Sequence, residues 1–141
     1  MSQLIIIRGL PGSGKTKKAR ELQSHYNCML IEPDALLVED GEYRYTHERH
    51  AYAMRRCLEM VQVCSLMDAD VIFADVLPSM DDVGDVVRAY CVGWAKPDLM
   101  VNDMPLLTVE ESMARNCHKV RREDIERMAA TWQPWPAEVG K

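Results

Sequence analysis

The feature that most constrains this chain is a glycine-rich segment that lies between a short apolar run and a predicted helix. The segment Gly9-Leu10-Pro11-Gly12-Ser13-Gly14-Lys15-Thr16 closely follows the apolar run Leu4-Ile5-Ile6-Ile7. A run of this kind, rich in β-branched residues and stopped by glycine and proline, predicts a strand buried on both faces of a parallel sheet. The segment from Lys15 to about Ser24 contains neither glycine nor proline and predicts a helix. The sequence therefore predicts a strand, a glycine-rich loop and a helix in succession.

The glycine-rich segment matches G-x-x-x-x-G-K-[ST], a pattern typical of loops that bind the phosphates of nucleoside triphosphates. Glycines let successive backbone N–H groups turn inward toward phosphate oxygens, and the positive end of the following helix adds to the attraction. Lys15 would reach the β- and γ-phosphates, and Thr16 would offer a hydroxyl to Mg²⁺. A chance glycine-rich turn is the alternative, and the strand before and helix after it disfavour that interpretation. We therefore expect ATP and Mg²⁺ to bind, with the nucleotide held by Gly9, Pro11, Gly12, Ser13, Gly14, Lys15 and Thr16.

Predicted strands and helices alternate along the rest of the chain. Further strands are predicted at 28–31, 71–74 and 99–101, and further helices at about 47–67, 80–91, 109–116 and 123–132. The segment 36–45 is predicted to be irregular, with a turn at Asp40-Gly41. This order predicts an α/β fold with a mostly parallel sheet flanked by helices. In such folds ligands bind at the carboxyl ends of the strands.

Length and apolar content predict one domain. The chain has 141 residues, of which 48% are hydrophobic, enough for one core. We assign 1–132 to this domain and 133–141 to a C-terminal tail, which Trp132 and Trp135 would dock onto the body. No apolar run approaches the ~18 residues of a membrane span, and the first residues do not have the pattern of a secretory signal.

Cysteine content and charge limit the classes of function. Five cysteines without a C-x-x-C pair argue against a disulfide framework or a zinc knuckle and fit a reducing, cytoplasmic compartment. The formal net charge of −5 disfavours an extended nucleic-acid-binding surface but is compatible with one basic groove.

Carboxylates follow two of the predicted strands. Asp34 lies just past the second strand, where it could accept a proton from an attacking hydroxyl. A turn-forming role after Pro33 is the alternative, and Glu32 is a second candidate base. Asp75 ends the third strand, where a carboxylate could hold Mg²⁺ or its water, or could simply be a solvated strand end.

Two basic segments could contact phosphate groups. The segment 115–122 contains no acid, and it could close over a triphosphate, with Arg115 and Lys119 as the first candidates to neutralise its charge. A solvated loop balanced by Glu123 and Asp124 is the alternative. The segment 43–56 has a net charge of +3 and three tyrosines, a combination that could bind a nucleic-acid backbone, although a solvated helix face is the preferred interpretation.

Together these features resemble the P-loop kinases of the phage polynucleotide kinase type and their small AAA-like relatives. The resemblance runs from about Leu4 to Trp132. It is carried by 9–16, Asp34, the segment Asp40-Gly41-Glu42-Tyr43-Arg44-Tyr45, Asp75, Arg115-Asn116-Cys117-His118 and Ile125-Glu126-Arg127-Met128. The resemblance implies a three-layer P-loop fold with a basic lid, and transfer of the ATP γ-phosphate to a hydroxyl, commonly a nucleic-acid 5′-OH or, in some phage relatives, a hydroxymethylated base in DNA. It also implies a position for each site residue: Asp34 as the base, Lys15 and Thr16 at the nucleotide, and Arg115 and Lys119 in the lid.

The chain departs from that group at two places on the acceptor side. Leu37 stands where an arginine often follows the base by three residues, and Val76-Leu77-Pro78 stands where Asn-Thr-Asn often follows the strand-end aspartate. These departures leave the nucleotide site intact and the acceptor open. The expected function is an ATP-dependent kinase that acts on a hydroxyl of a nucleic acid or nucleotide. A small-metabolite alcohol kinase and a non-catalytic nucleotide-binding switch are the alternatives, and the sequence does not predict an oligomeric state.

Overall fold

Four of the strands form one parallel sheet, as the alternating sequence pattern predicts. A computed structural model describes residues 2–92, 97–115 and 120–136. In chain order the elements are β1 (Gln3–Arg8), α1 (Lys15–Tyr26), β2 (Met29–Ile31), a 3₁₀ helix (Pro33–Leu37), β3 (Val38–Glu39), β4 (Glu42–Tyr43), α2 (His47–Leu66), β5 (Val71–Asp75), α3 (Met80–Tyr90), β6 (Asp98–Asp103), α4 (Val109–Ala114) and α5 (Arg122–Ala130). The predicted α/β fold with a mostly parallel sheet is confirmed.

The sheet has the strand order β2-β5-β1-β6, and every pair within it is parallel. The parallel register places Arg8, Asp75 and Asp103 side by side at the carboxyl ends of β1, β5 and β6. Ligands of open α/β sheets bind outside this edge. The edge therefore positions the site described below.

Strand β1 is apolar through its interior because helices cover both of its faces. Leu4 and Ile6 are fully buried in a cluster with side chains from α2 and α3. Ile5 and Ile7 point to the other face, where they pack with Ala19 of α1. The sheet thus forms the middle of three layers, and its central strand is fixed from both sides.

Helices α2, α3 and α4 begin where the sequence predicts. The hydroxyl of each N-cap residue accepts a hydrogen bond from a backbone N–H three residues later; these caps are Thr46, Ser79 and Thr108. Such a cap typically contributes about 1 kcal/mol to stability. Within the described ranges, no helix has the length and apolar character that a membrane crossing requires.

The segment predicted to be irregular contains regular structure. The 3₁₀ helix leads directly into a hairpin in which β3 and β4 pair antiparallel, with Val38 opposite Tyr43. The turn lies at Asp40 and Gly41, as predicted, and both residues have positive φ, 52° and 74°. Positive φ at both central residues is the backbone conformation typical of a two-residue hairpin turn. Strands of two residues are too short to give an alternating sequence pattern, so the hairpin was missed.

The C-terminal segment returns to the sheet at the guanidinium group of Arg8, which is fully buried. Arg8 pairs with Asp103 at 3.0 Å and donates a hydrogen bond of 2.8 Å to the carbonyl oxygen of Gln133. The ring of Trp132 lies 4.4 Å from the Arg8 guanidinium carbon, and the backbone N–H of Trp135 donates to Asp103 at 2.8 Å. Both tryptophans dock the tail onto the body, as expected.

Candidate active site

The glycine-rich loop joins β1 to α1 at the carboxyl edge of the sheet. Gly12 has a φ of 82°, and a Cβ atom at this position would lie 2.6 Å from the Cβ of Arg115. Gly14 has a φ of 91° and forms the N-cap of α1. A larger residue at Gly12 would be strained and would also clash. The loop is therefore curled, and the end of α4 lies directly against it.

Two polar side chains of the loop suit an anion. The hydroxyl of Ser13 is buried and has no hydrogen-bond partner within the described part of the chain. Lys15 Nζ donates to the carbonyl oxygens of Gly9 at 2.9 Å and Leu10 at 3.2 Å, so the ammonium group lies over the loop. An unsatisfied buried hydroxyl costs about 1–3 kcal/mol, and a phosphate oxygen would supply the missing acceptor. The loop residues therefore fit a phosphate group.

A cleft of about 650 Å³ opens in front of the loop. Its walls come from the loop, the first turns of α1, the 3₁₀ helix, the β3–β4 hairpin and the end of β5. Most of the predicted site residues line it: Pro11, Gly12, Gly14, Lys15, Thr16, Asp34, Asp75 and Arg115. The fold thus brings the predicted nucleotide-binding loop and both predicted carboxylates to one cavity.

Asp34 lies in the 3₁₀ helix and lines the cleft together with the loop. The phenol of Tyr43, on the hairpin, donates a hydrogen bond of 2.9 Å to Asp34 Oδ1. Burial, together with the charge of Asp34 and this hydrogen bond, raises the pKa of the Tyr43 phenol well above its ordinary range. Tyr43 therefore stays protonated and keeps donating, which fixes the orientation of the carboxylate.

Asp75, the last residue of β5, is only 2% exposed and lies against a histidine. Nε2 of His50, on the first turn of α2, is 3.0 Å from Asp75 Oδ2. Burial lowers the pKa of the His50 imidazole, but the charge of Asp75, the hydrogen bond and the charge of Asp34 together outweigh it, and the net pKa is raised. The imidazole therefore compensates the negative charge of this buried carboxylate. His47, three residues earlier on the same helix, is exposed.

Thr16 contacts the second candidate base of the sequence. Its hydroxyl donates a hydrogen bond of 2.9 Å to Glu32 Oε2, which ties the first turn of α1 to the end of β2. Hydroxyl and carboxylate oxygens are the ligand type that Mg²⁺ prefers. The donor set at this end of the cleft therefore fits a magnesium ion.

Arg115, the first lid candidate, lies at the end of α4 and lines the cleft beside the loop. The helix is anchored there because the buried hydroxyl of Ser112 donates to the carbonyl oxygen of Pro11 at 2.6 Å. Lys119, the second lid candidate, lies outside the described residues. Arg121 pairs with Asp124, one of the two acids that the alternative interpretation of this segment names, and Arg122 pairs with Glu110.

The basic segment 43–56 is partly neutralised. Arg49 pairs with Glu39, and Arg44 lies 3.6 Å from Glu42. Both acids belong to the hairpin just before the segment, so the net charge counted within the segment overstates its positive potential. These contacts favour the interpretation of a solvated surface for this part of the molecule.

Several residues of the site were missed from sequence. Lys17 and Arg20 of α1 line the cleft. They are three residues apart just after the glycine-rich loop, a spacing that places both on one face of the predicted helix. Arg8, which does not line the cleft, was also missed, although a cation directly before the glycine-rich loop ends an otherwise apolar run. The pairing of His50 with Asp75 left no signal, since 25 residues separate the two.

Solved structures with the same fold include a chain of an RNA repair complex and two kinases. One chain of a Pnkp1/Rnl/Hen1 RNA repair complex superposes with a TM-score of 0.71 and 22% identity, over 92% of this chain and 43% of that one. A sugar kinase from Janibacter superposes with a TM-score of 0.68 and 14% identity, over 98% of this chain and 82% of that one. A gluconokinase from Sinorhizobium meliloti superposes with a TM-score of 0.64 and 15% identity, over 97% of this chain and 78% of that one. No protein-family model matches the sequence.

These similarities show the fold, an α/β fold with a parallel sheet that this chain shares with those structures. The chain spans less than half of the matched chain from the repair complex, and it spans most of the two sugar-type kinases.

Proposed function

We propose that this protein is an ATP-dependent kinase that transfers the γ-phosphate to a hydroxyl of a nucleic acid or nucleotide. One observation carries the proposal: the curled glycine-rich loop and Asp34 line the same cleft. Transfer of a phosphoryl group needs an anion cradle on one side and a proton acceptor on the other.

The loop would hold the triphosphate of ATP. We assign contacts with phosphate oxygens to the Ser13 hydroxyl, which has no hydrogen-bond partner within the described residues, and to the Lys15 ammonium group. Arg115 lies against the loop at Gly12. Fixed positive groups in a cleft stabilise the negative charge that spreads over the transferring group. We assign Lys119 to the same role, from its position in the sequence.

Asp34 would act on the acceptor. As the acceptor oxygen bonds to the γ-phosphorus, the bond from that phosphorus to the β,γ-bridging oxygen breaks, and ADP leaves with the electron pair. The hydroxyl proton passes to Asp34, whose orientation is fixed by Tyr43. General-base catalysis of this kind typically contributes about 10²–10⁴-fold in rate.

Thr16 and Asp75 would hold Mg²⁺, directly or through water, with Glu32 supporting Thr16 through its hydrogen bond. When bound, the ion neutralises charge on the β- and γ-phosphates.

A transfer assay with labelled acceptors tests the proposal. The protein is incubated with Mg²⁺, γ-labelled ATP and a panel of 5′-OH DNA, 5′-OH RNA, hydroxymethylpyrimidine DNA and small alcohols. Label on an oligonucleotide or nucleotide supports the proposal. Label on small alcohols alone would make the protein a metabolite kinase, and tight ATP binding without any transfer would indicate a nucleotide-binding switch.

Two variants assign the roles within the assay. Asp34→Asn should lose transfer by about 10²-fold or more while its ATP affinity stays near that of the wild type. Lys15→Ala should lose both transfer and ATP affinity. Transfer that survives unchanged in Asp34→Asn would remove this carboxylate from the catalytic role.

A further inference from the structure

Two cations line the cleft that the proposed reaction does not use. Lys17 and Arg20 both belong to α1, and both are exposed and border the cavity. Within residues 2–92, 97–115 and 120–136, neither pairs with an acidic side chain within 4.0 Å. By contrast, arginines elsewhere on the surface, such as Arg88 and Arg122, are paired with Asp85 and Glu110. In a chain with a net charge of −5, two unpaired cations in a cavity mark a position where an anion would be stabilised.

Helix geometry places these cations on the acceptor side. Residues three or four apart share a face of a helix, so Arg20 lies on the same face as Lys17 and Thr16. This face is tied to the end of β2 because Thr16 donates to Glu32. The 3₁₀ helix that carries Asp34 begins at Pro33, immediately after that contact, so the face of α1 and the base border the same part of the cleft.

The two cations that we assign to the nucleotide lie at the loop itself. Lys15 lies over the loop, and Arg115 lies against Gly12. Arg20 stands one helical turn beyond Thr16, past the last residue of the loop. The contacts proposed for the nucleotide therefore do not involve Lys17 or Arg20.

We infer that Lys17 and Arg20 form a second anion subsite, which binds a phosphate or carboxylate group carried by the acceptor. The inference rests on the proposed kinase function and deepens it, because it selects acceptors in which an acidic group accompanies the hydroxyl. The guanidinium group of Arg20 offers paired N–H donors that match either anion, and Lys17 adds a second positive charge. Neutral alcohols would gain nothing from this part of the cleft.

A binding measurement tests the subsite without relying on turnover. The loop is first saturated with Mg²⁺ and a non-hydrolysable ATP analogue, and a nucleoside 3′-monophosphate or gluconate is then titrated in. The wild type should bind at least one of these anions, and the Lys17→Ala/Arg20→Ala variant should bind it roughly tenfold more weakly. The affinity for the ATP analogue should change less than twofold. Lys18→Ala is the matched control: it removes a cation of the same helix that does not line the cleft, and it should bind the anion like the wild type.

A transfer assay with paired acceptors provides the second readout. Nucleoside 3′-monophosphate is compared with the same nucleoside, and gluconate with sorbitol, in the presence of γ-labelled ATP. The charged member of at least one pair should have the higher kcat/KM, and the double variant should lose that preference. If the nucleoside pair shows this preference, the bound anion is a phosphate; if the gluconate and sorbitol pair shows it, the anion is a carboxylate.

The outcomes separate this inference from the proposed function. Anion binding that depends on Lys17 and Arg20, without transfer to any acceptor, would support the subsite and contradict the kinase proposal. Transfer with no preference for charged acceptors would support a kinase and overturn the subsite. The subsite is also overturned if the loaded wild type binds neither anion, or if the double variant loses affinity for the ATP analogue instead.

Discussion

Nε2 of His50 lies 3.0 Å from a carboxylate oxygen of Asp75 at the carboxyl end of β5, and the carboxylate is almost completely buried. A buried carboxylate is costly unless a cation or hydrogen-bond donor compensates it. His50 supplies both when it is protonated. The pair therefore links α2 to the sheet edge at the floor of the cleft.

This pair predicts a stability that depends on pH. The net pKa of His50 is raised: burial lowers it, but the charge of Asp75 and the hydrogen bond to it outweigh the burial. A group whose pKa is raised on folding contributes stability that is fully present below its ordinary pKa of about 6.5 and is lost as pH rises through the folded value. The difference in unfolding free energy between the wild type and His50→Gln should therefore shrink above pH ~6.5. Urea titrations of both proteins at several pH values between 5.5 and 9, with EDTA present, measure this difference. A difference that stays constant over this pH range would contradict the pairing of His50 with Asp75.

Arg8 should be a principal determinant of stability. Its buried guanidinium group joins Asp103, the turn after β5 and the C-terminal segment at Gln133. Arg8→Met should lower the free energy of unfolding by about 3 kcal/mol, because Asp103 and the carbonyl groups lose their partner. Urea unfolding followed by circular dichroism measures the loss. Arg88→Met, which removes an exposed pair with Asp85, is the control and should change stability little. Equal effects of the two variants would contradict the role of Arg8.

Tyr43 should affect turnover rather than nucleotide binding. Tyr43→Phe removes the hydrogen bond that orients Asp34, and misplacement of a catalytic group is costly in rate. We expect kcat to fall roughly tenfold while the KM for ATP stays within twofold. Steady-state kinetics with the acceptor found in the transfer assay give both values. Tyr52→Phe, which alters an exposed tyrosine of α2, should match the wild type. A change in the KM for ATP alone would show that Tyr43 serves the nucleotide instead.

The cysteines should differ strongly in reactivity. Burial, together with the charges of Asp75 and Asp34, raises the pKa of the Cys57 thiol to about 12, whereas Cys91 is exposed. Because the thiolate is the reactive form, iodoacetamide at pH 8 should modify Cys91 at least about a hundredfold faster than Cys57. Peptide mass spectrometry of timed samples measures both rates, and a denatured sample shows that both sites can react. Comparable rates in the folded protein would mean that the α2 face carrying Cys57 is not packed as described.

Sequence patterns predicted the parts of this fold that depend on neighbouring residues. The apolar run 4–7 predicted the central strand because both of its faces are covered. The predicted starts of α3 and α4 agree with the structure because the caps at Ser79 and Thr108 act over only three residues. The glycine-rich loop and Asp34 were predicted as site residues because each comes just after a predicted strand, and both line the cleft. These are local properties that a sequence pattern carries directly.

Contacts between distant residues were not predictable in the same way. Arg8 is buried because Gln133 and Trp132 return to it more than a hundred residues later, and no local pattern encodes that return. The partners of Asp75 and Asp34 likewise depend on how α2 and the hairpin are placed over the sheet. The hairpin itself was missed because each strand has only two residues.

A crystal structure with Mg²⁺ and a non-hydrolysable ATP analogue tests the central claim most directly. We predict that the β- and γ-phosphates occupy the curled loop, within hydrogen-bonding distance of Ser13 and Lys15, and that the γ-phosphate faces Asp34 across the cleft. An empty loop, or an Asp34 carboxylate that points away from the terminal phosphate, would contradict phosphoryl transfer at this site.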